Sequence, residues 1–199
     1  MFPTLLPFLL FAFVASITPG PTNILVLSNS ARYGLAAAVP LVIGGCAGAA
    51  AIVLLVGSGV GSSLTAFPVV QTVMQWLGVA WLSYLAWQIF SAPAQALNAQ
   101  DAMARLGLLG AASLQLINPK TWMMALAVVS VFAGGGEQRL AHVMSLSLAF
   151  FLISLPCLGA WALLGAGSAR WLQSPRAMRR FNRCMALLLL ISAWLSILL

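Results

Sequence analysis

Six long apolar segments make up most of the chain, and short connections rich in glycine, proline, serine or charged residues separate them. A helix of about 20 apolar residues crosses a bilayer, and each segment is of roughly that length or longer. The apolar beginning lacks the positive region of a cleaved signal, so we expect it to be a retained first span. The pattern predicts an all-α integral membrane protein with six transmembrane helices, at about 4–31, 36–60, 69–90, 104–133, 139–166 and 180–199.

Polar, proline-containing motifs interrupt the first and fourth segments. The first is TPGPTN at residues 18–23, and the second is NPKT at residues 118–121. Proline removes a backbone donor, and Gly20 permits conformations that other residues resist. At 1.5 Å per residue, each helical piece beside a break is at most about 20 Å long, too short to cross a roughly 30 Å core alone. We therefore expect two broken helices whose breaks lie near the middle of the membrane.

The two breaks suggest that the chain consists of two related halves. An offset of one hundred residues aligns Ile17 with Ile117, Pro19 with Pro119 and Ser30 with Ser130. Three spans per half is an odd number, so the second half would enter the membrane from the opposite side. The predicted fold is one transporter domain over 1–199, built from two inverted three-helix repeats at about 1–100 and 101–199. Chance identity, and proline kinks that only aid packing, are the alternatives.

Charge is scarce and unevenly placed. Only 6% of the residues are charged, against roughly 25% in an ordinary soluble domain. Most of the net charge of +7 comes from five arginines within residues 170–183, which is typical of a cytoplasmic loop beside anionic headgroups and argues against nucleic-acid binding. Arg32 and Arg105 lie in the first and third connections, whereas the second and fourth carry only Arg139. This distribution predicts a multi-pass protein with both termini outside.

Lys120 is the one charged side chain deep within a predicted span. Placing a charge there costs about 2.5–3.5 kcal/mol on insertion scales, so such a group usually has a task. It either pairs with a substrate carboxylate or loses its proton on burial and carries protons; reaching an interface is the alternative. The half-helix that begins near Thr22 and Asn23 would direct its free N–H groups at an anion.

The residues that enzymes and metal sites need are missing from the spans. Asp101 and Glu137, the two acids, fall in connections, and His142, the single histidine, begins the fifth segment, where an interfacial or packed role is expected. A Ser/His/Asp relay or a zinc site therefore cannot form at membrane depth. We expect no enzyme activity, no cofactor and no bound metal, and small packing roles for Cys46, Cys157 and Cys184.

Small residues and tryptophans add two packing expectations. The motifs Gly44-x-x-x-Gly48 and Gly57-x-x-x-Gly61 give the second segment a face for close helix contact, either inside the bundle or in a homodimer. Several tryptophans near segment ends are expected to act as interfacial anchors, namely Trp76, Trp81, Trp87, Trp161 and Trp171.

The residues around both breaks resemble a known family. The stretch ITPGPTNIL at 17–25, then RYG at 32–34 and QLINPK at 115–120, is similar to the LysE/RhtB family of bacterial amino-acid exporters, and within it to the cysteine and O-acetylserine efflux branch. The similarity covers the whole chain in length, span count and motif order. It implies an inner-membrane efflux carrier driven by the proton-motive force. One departure is Thr22, which stands where members often carry Asn or Asp.

Together, the pattern and the resemblance predict an exporter of small neutral amino acids or derivatives, of the cysteine, O-acetylserine or homoserine/threonine type, across the bacterial inner membrane. Protons are the expected coupling ion. A metal-ion exporter or channel is the alternative, although a cation path would be expected to show acidic rings or His/Cys/Asp clusters in the spans. The expected substrate-binding residues are Pro19, Gly20, Pro21, Thr22, Asn23, Gln115, Asn118, Pro119 and Lys120.

The orientation can be tested by cysteine labelling. In a cysteine-free background, single cysteines near residues 2 and 199 should react with a membrane-impermeant reagent in intact spheroplasts, and one near Pro175 should not. Reversed labelling would contradict the orientation. Labelling of only one of the two ends would contradict the even number of spans.

Overall fold

Every regular element in the described part of the chain is helical. The computed structural model describes residues 2–60, 68–91, 107–134, 138–168, 171 and 174–198. A π-helical turn, Val56–Val60, continues the third helix, and a 3₁₀ turn, Gln115–Ile117, continues the fifth. The helices are α1 Phe2–Ile17, α2 Pro21–Tyr33, α3 Leu35–Leu55, α4 Pro68–Ser91, α5 Leu108–Leu114, α6 Pro119–Phe132, α7 Arg139–Ser168 and α8 Pro175–Leu198.

The all-α class is confirmed, and the helices follow the predicted segments closely. Among the described residues, Leu35–Gly59 and Arg139–Ser168 are each long and apolar enough to cross a membrane. The pair α1 and α2, bent by 52° at its break, passes the same test when taken as one span. The chain is therefore a membrane-embedded helical protein. The count of six spans and the inverted relation of the halves stay predictions.

Proline chemistry explains both breaks. Pro19 and Pro21 have no N–H to give to the carbonyls four residues earlier, so α1 ends at Ile17. Pro21 then begins α2, a position where its missing donor costs nothing. The second break repeats this logic: Pro119 cannot donate to the carbonyl of Gln115, which accepts the N–H of Asn118 at 3.3 Å instead. Pro119 then begins α6.

Helices α3 and α7 form the centre of the bundle. They pack against each other, α2 packs on α7, and α5 packs on α3, while α4 and α8 form a lateral pair. One apolar cluster joins α2, α3, α4, α7 and α8 around buried Val26, Leu82 and Leu189. A second joins α1, α3, α6 and α7 around buried Phe8 and Phe150. Because α3 and α7 contribute to both clusters, they hold the two broken helices in place.

The small-residue face of α3 serves packing within the chain. Gly44 lies against the backbone of Leu108, and a Cβ built on Gly48 would stand only 2.6 Å from the carbonyl oxygen of Ala112. Helix α5 can therefore approach α3 only because both positions are glycine. Gly57 lies similarly against Val143 of α7. The homodimer stays a prediction.

Some of the other residues named in the sequence analysis lie within the described part of the chain, and some lie outside it. His142 is half-buried in the first turn of α7, and the cysteines are free thiols, of which Cys46 and Cys157 are buried. Cys184 is exposed, which differs from the expected packing role because its position on α8 faces away from the bundle. Several residues used above lie outside the described ranges, namely Gly61, Asp101, Arg105, Glu137 and Arg170.

The contact of α3 with α5 predicts a sharp effect of a single methyl group. Gly48→Ala should destabilise the protein by about 1–3 kcal/mol, because its Cβ would meet backbone that cannot yield. Gly159→Ala in α7 is the matched control, since a Cβ there would meet open space. Thermal unfolding of both variants in the same detergent makes the comparison. Equal melting temperatures for the two would contradict this account of the α3 face.

Candidate functional site

The two breaks meet at one cavity, bordered also by α3 and α7. Its empty volume, including the open mouth, is about 380 Å³. Cys46, Ala49, Phe150 and Leu158 contribute apolar surface. Of the predicted binding residues, the structure brings together here Pro21, Thr22, Asn23, Gln115, Asn118 and Lys120.

The other three predicted residues shape the breaks without lining this cavity. Pro19 is exposed, and Pro119 lies against Gly78 of α4. Gly20 is buried beneath the side chain of Lys120, and a Cβ built on it would stand 2.9 Å from both Cδ and Nζ of that lysine. Gly20 therefore provides the space that lets Lys120 cross the first break. Glycine matters here because it has no side chain, not because of its backbone conformation. Its φ of −164° is extended backbone that any residue can adopt.

Side chains from three other helices satisfy the carbonyls at the end of α1. In a continuous helix these carbonyls would accept bonds from residues four positions later, but the break removes those donors. The replacements are Asn23 Nδ2 to the Ser16 carbonyl at 2.8 Å, Trp161 Nε1 to the Ile17 carbonyl at 3.0 Å, and Lys120 Nζ to the Thr18 carbonyl at 2.8 Å. Helices α2, α7 and α6 are thus tied to the end of α1. Trp161 differs here from the expected interfacial anchor because the broken helix uses its indole N–H.

At the second break, too, a side chain donates to a backbone carbonyl. The indole Nε1 of Trp122 donates to the carbonyl of Leu116 at 2.8 Å. That carbonyl sits in the 3₁₀ turn between α5 and α6, where the regular ladder is interrupted. At each break, therefore, a tryptophan indole N–H donates to one of the exposed carbonyls.

A buried amide network joins the two breaks. Gln115 Oε1 accepts from Thr121 Oγ1 at 2.8 Å and from Asn118 Nδ2 at 3.2 Å. Gln115 Nε2 and Asn118 Nδ2 both reach Thr22 Oγ1, at 3.1 and 3.2 Å. Gln115 and Asn118 are each 2% exposed and Thr121 is 3% exposed. Thr22 is the contribution of the first break to this network, and its hydroxyl lies between the two amides.

One backbone carbonyl orients the whole network. Gln115 Nε2 donates to the carbonyl of Ala111 at 3.2 Å, and a carbonyl can only accept. Gln115 Oε1 must then face Asn118, which must present Nδ2 to it. Among the described residues, Asn118 Oδ1 is left without a partner, and so is Ser16 Oγ. A buried polar atom without a partner costs about 1–3 kcal/mol, so these two atoms need an explanation.

Positive potential collects at the same place. Helices α2 and α6 both begin at the cavity with a proline and without a side-chain cap. The first N–H groups of α2 have no carbonyl within the helix to bond, whereas in α6 the N–H of Thr121 already donates to the carbonyl of Asn118 at 3.0 Å. The positive ends of their helix dipoles point toward the amine of the half-buried Lys120. Neither acid of the sequence is among the described residues, and those residues contain no group of three or more His, Cys, Asp or Glu side chains that could hold a metal ion. The arrangement suits an anionic group.

Several cavity residues escape prediction from the sequence. Thr121 follows Lys120 directly, and Ser16 precedes the first break by two positions, so proximity to the motifs was the available signal. Cys46, Phe150 and Ser154 lie in uninterrupted apolar helices and carry no local signal. Only the packing of α3 and α7 against the breaks brings them to the cavity.

Comparisons with known proteins find relatives that align with nearly the whole chain. The chain is 30% identical over 189 residues to a cysteine/O-acetylserine efflux protein of Salmonella choleraesuis, covering 92% of each chain. It is 29% identical over 195 residues to a protein of the same name from Escherichia coli O1:K1, covering 97% of each, and 28% identical to an uncharacterized membrane protein of Vibrio cholerae, covering 89% of this chain and 88% of that one. No solved structure matches the chain.

A family model described as LysE type translocator matches residues 13–197, which include both breaks and the whole of α2 to α7. Family and relatives together indicate a membrane transporter, not an enzyme. The chain belongs to the LysE family of translocators.

Proposed function

We propose that this protein exports small neutral amino acids or their derivatives, of the cysteine and O-acetylserine type, from the cytoplasm across the bacterial inner membrane. The observation that carries the proposal is the meeting of Lys120 with two uncapped helix N-termini in one small cavity. The names of the Salmonella and Escherichia relatives support the substrate class.

The site recognises a carboxylate through its donors. In the structure, Lys120 Nζ donates to the neutral carbonyl of Thr18. A carboxylate accepts a stronger, charge-assisted bond, so a substrate would draw the amine away from this carbonyl. The free N–H groups of Thr22 and Asn23 at the start of α2 would donate hydrogen bonds to the second carboxylate oxygen.

Transport follows from the way the site joins the two halves. The bonds of Lys120 to Thr18 and of Asn118 to Thr22 both run between the predicted repeats. If the repeats rock about this cavity, as inverted repeats do, these bonds are the ones that substrate binding exchanges. Uptake of a proton then resets the carrier, and the proton-motive force drives export.

Removing the charge of Lys120 tests its role. Lys120→Met keeps the length of the side chain, so the protein should fold and insert while export falls by at least about tenfold, equivalent to roughly 1.4 kcal/mol. Arg139→Met is the matched control, because it removes one positive charge from the exposed start of α7, away from the cavity. Uptake into inverted vesicles measures export. Equal activity of the two variants would exclude Lys120 from the site.

The chemistry of the substrate provides an independent test. A labelled amino acid should exchange in proteoliposomes, and its α-amide should compete at least about tenfold more weakly, because the amide lacks the charge that Lys120 and the helix N-termini recognise. Divalent metal ions tested in the same assay should not compete. Equal competition by the amide would contradict carboxylate recognition. Metal transport without any amino-acid effect would support the metal-exporter alternative, and flux without exchange stimulation would support a channel.

A further inference from the structure

Two buried side-chain oxygens of residues that line the cavity have no hydrogen-bond partner among the described residues. One is Oγ of Ser16, near the end of α1, and the other is Oδ1 of Asn118, at the start of α6. Ser16 is 5% exposed and Asn118 is 2% exposed. Each predicted half of the chain thus contributes one unpaired oxygen to the same small space.

The network determines what these atoms can do. Asn118 Nδ2 is committed to Gln115 Oε1 and Thr22 Oγ1, so its Oδ1 faces away from them and can act only as an acceptor. The backbone oxygen of Ser16 already accepts from Asn23 Nδ2, but its hydroxyl has no partner among the described residues, so both lone pairs can accept while its O–H can turn to donate elsewhere. The cavity therefore presents two acceptors that the protein leaves unpaired.

A protonated amine is the group that matches unpaired acceptors. An alkylammonium has three donors and no acceptor, whereas a carboxylate has acceptors only and cannot pair with Asn118 Oδ1. The donors of the cavity, Lys120 and the start of α2, serve the opposite kind of group. We propose that Ser16 Oγ and Asn118 Oδ1 together bind the α-ammonium group of the substrate. This inference rests on the proposed function, and it makes the cavity a zwitterion site with separate acceptor and donor ends.

Ser16→Ala is an unusually clean test of this site. It deletes an oxygen that makes no hydrogen bond among the described residues, so the substrate-free protein should be at least as stable as the unmodified protein. Ser147→Ala is the matched control: Ser147 is also buried, but its hydroxyl donates to the carbonyl of Ala50 at 2.7 Å, away from the cavity. That control should lose stability and keep the substrate preference of the unmodified protein.

The experiment measures two preferences in each variant. Full-length protein in proteoliposomes exchanges labelled cysteine under reducing conditions, and the competitors are mercaptopropionate, which lacks the amino group, and cysteinamide, which lacks the carboxylate. The unmodified protein should prefer cysteine to each by at least about tenfold. Ser16→Ala should reduce the preference over mercaptopropionate at least fivefold and leave that over cysteinamide unchanged. Lys120→Met should show the reverse pattern.

Asn118→Leu provides a second variant with the same expected loss of preference over mercaptopropionate. It also breaks the bonds to Gln115 and Thr22, so Ser16→Ala alone decides the question if this variant does not fold. An unchanged preference in Ser16→Ala, together with normal exchange by the unmodified protein, would overturn the ammonium site alone. Failure of the unmodified protein to exchange cysteine or any other amino acid would overturn the proposed function and this inference with it.

Discussion

The structure depends on a simple constraint: prolines end a helix inside an apolar bundle, and the carbonyls left without donors must find others. In this structure, donors for these carbonyls come from side chains of neighbouring helices. Asn23, Trp161 and Lys120 supply them for the first break. The position of α1 relative to α2, α6 and α7 follows from those three bonds as much as from apolar contact.

Under the proposed function, the same constraint explains how the site would respond to a substrate. Bonds from side chains to unpaired carbonyls can be exchanged for bonds to a substrate, whereas the ladder within a helix cannot be exchanged without unwinding it. Lys120 is the clearest case, because its bond to a neutral carbonyl is weaker than one to a carboxylate. Trp122 and Trp161 have no comparable alternative acceptor in the cavity. We therefore infer that their bonds to the carbonyls at the breaks persist when Lys120 changes partners.

Glycines determine how close these elements can approach. Gly48 brings α5 against α3, which sets the position of Gln115 at the end of that short helix. Gly20 leaves room for Lys120 to cross the first break. A change at either position would alter the cavity without removing any polar group, because the distances in the amide network depend on backbone approach.

Local chemistry in the sequence was sufficient for the class of the protein, the course of its helices and the two breaks. The length of each apolar segment predicts the long helices, and the prolines predict where helices end. Both signals depend only on residues that are neighbours in the sequence. The tertiary structure alone decided that α3 and α7 bring Cys46, Phe150 and Ser154 to the breaks, that Trp161 closes the first break, and that Ser16 and Asn118 keep unpaired oxygens. Those features depend on contacts between residues far apart in the chain, such as Ile17 with Trp161, for which the chain carries no local signal.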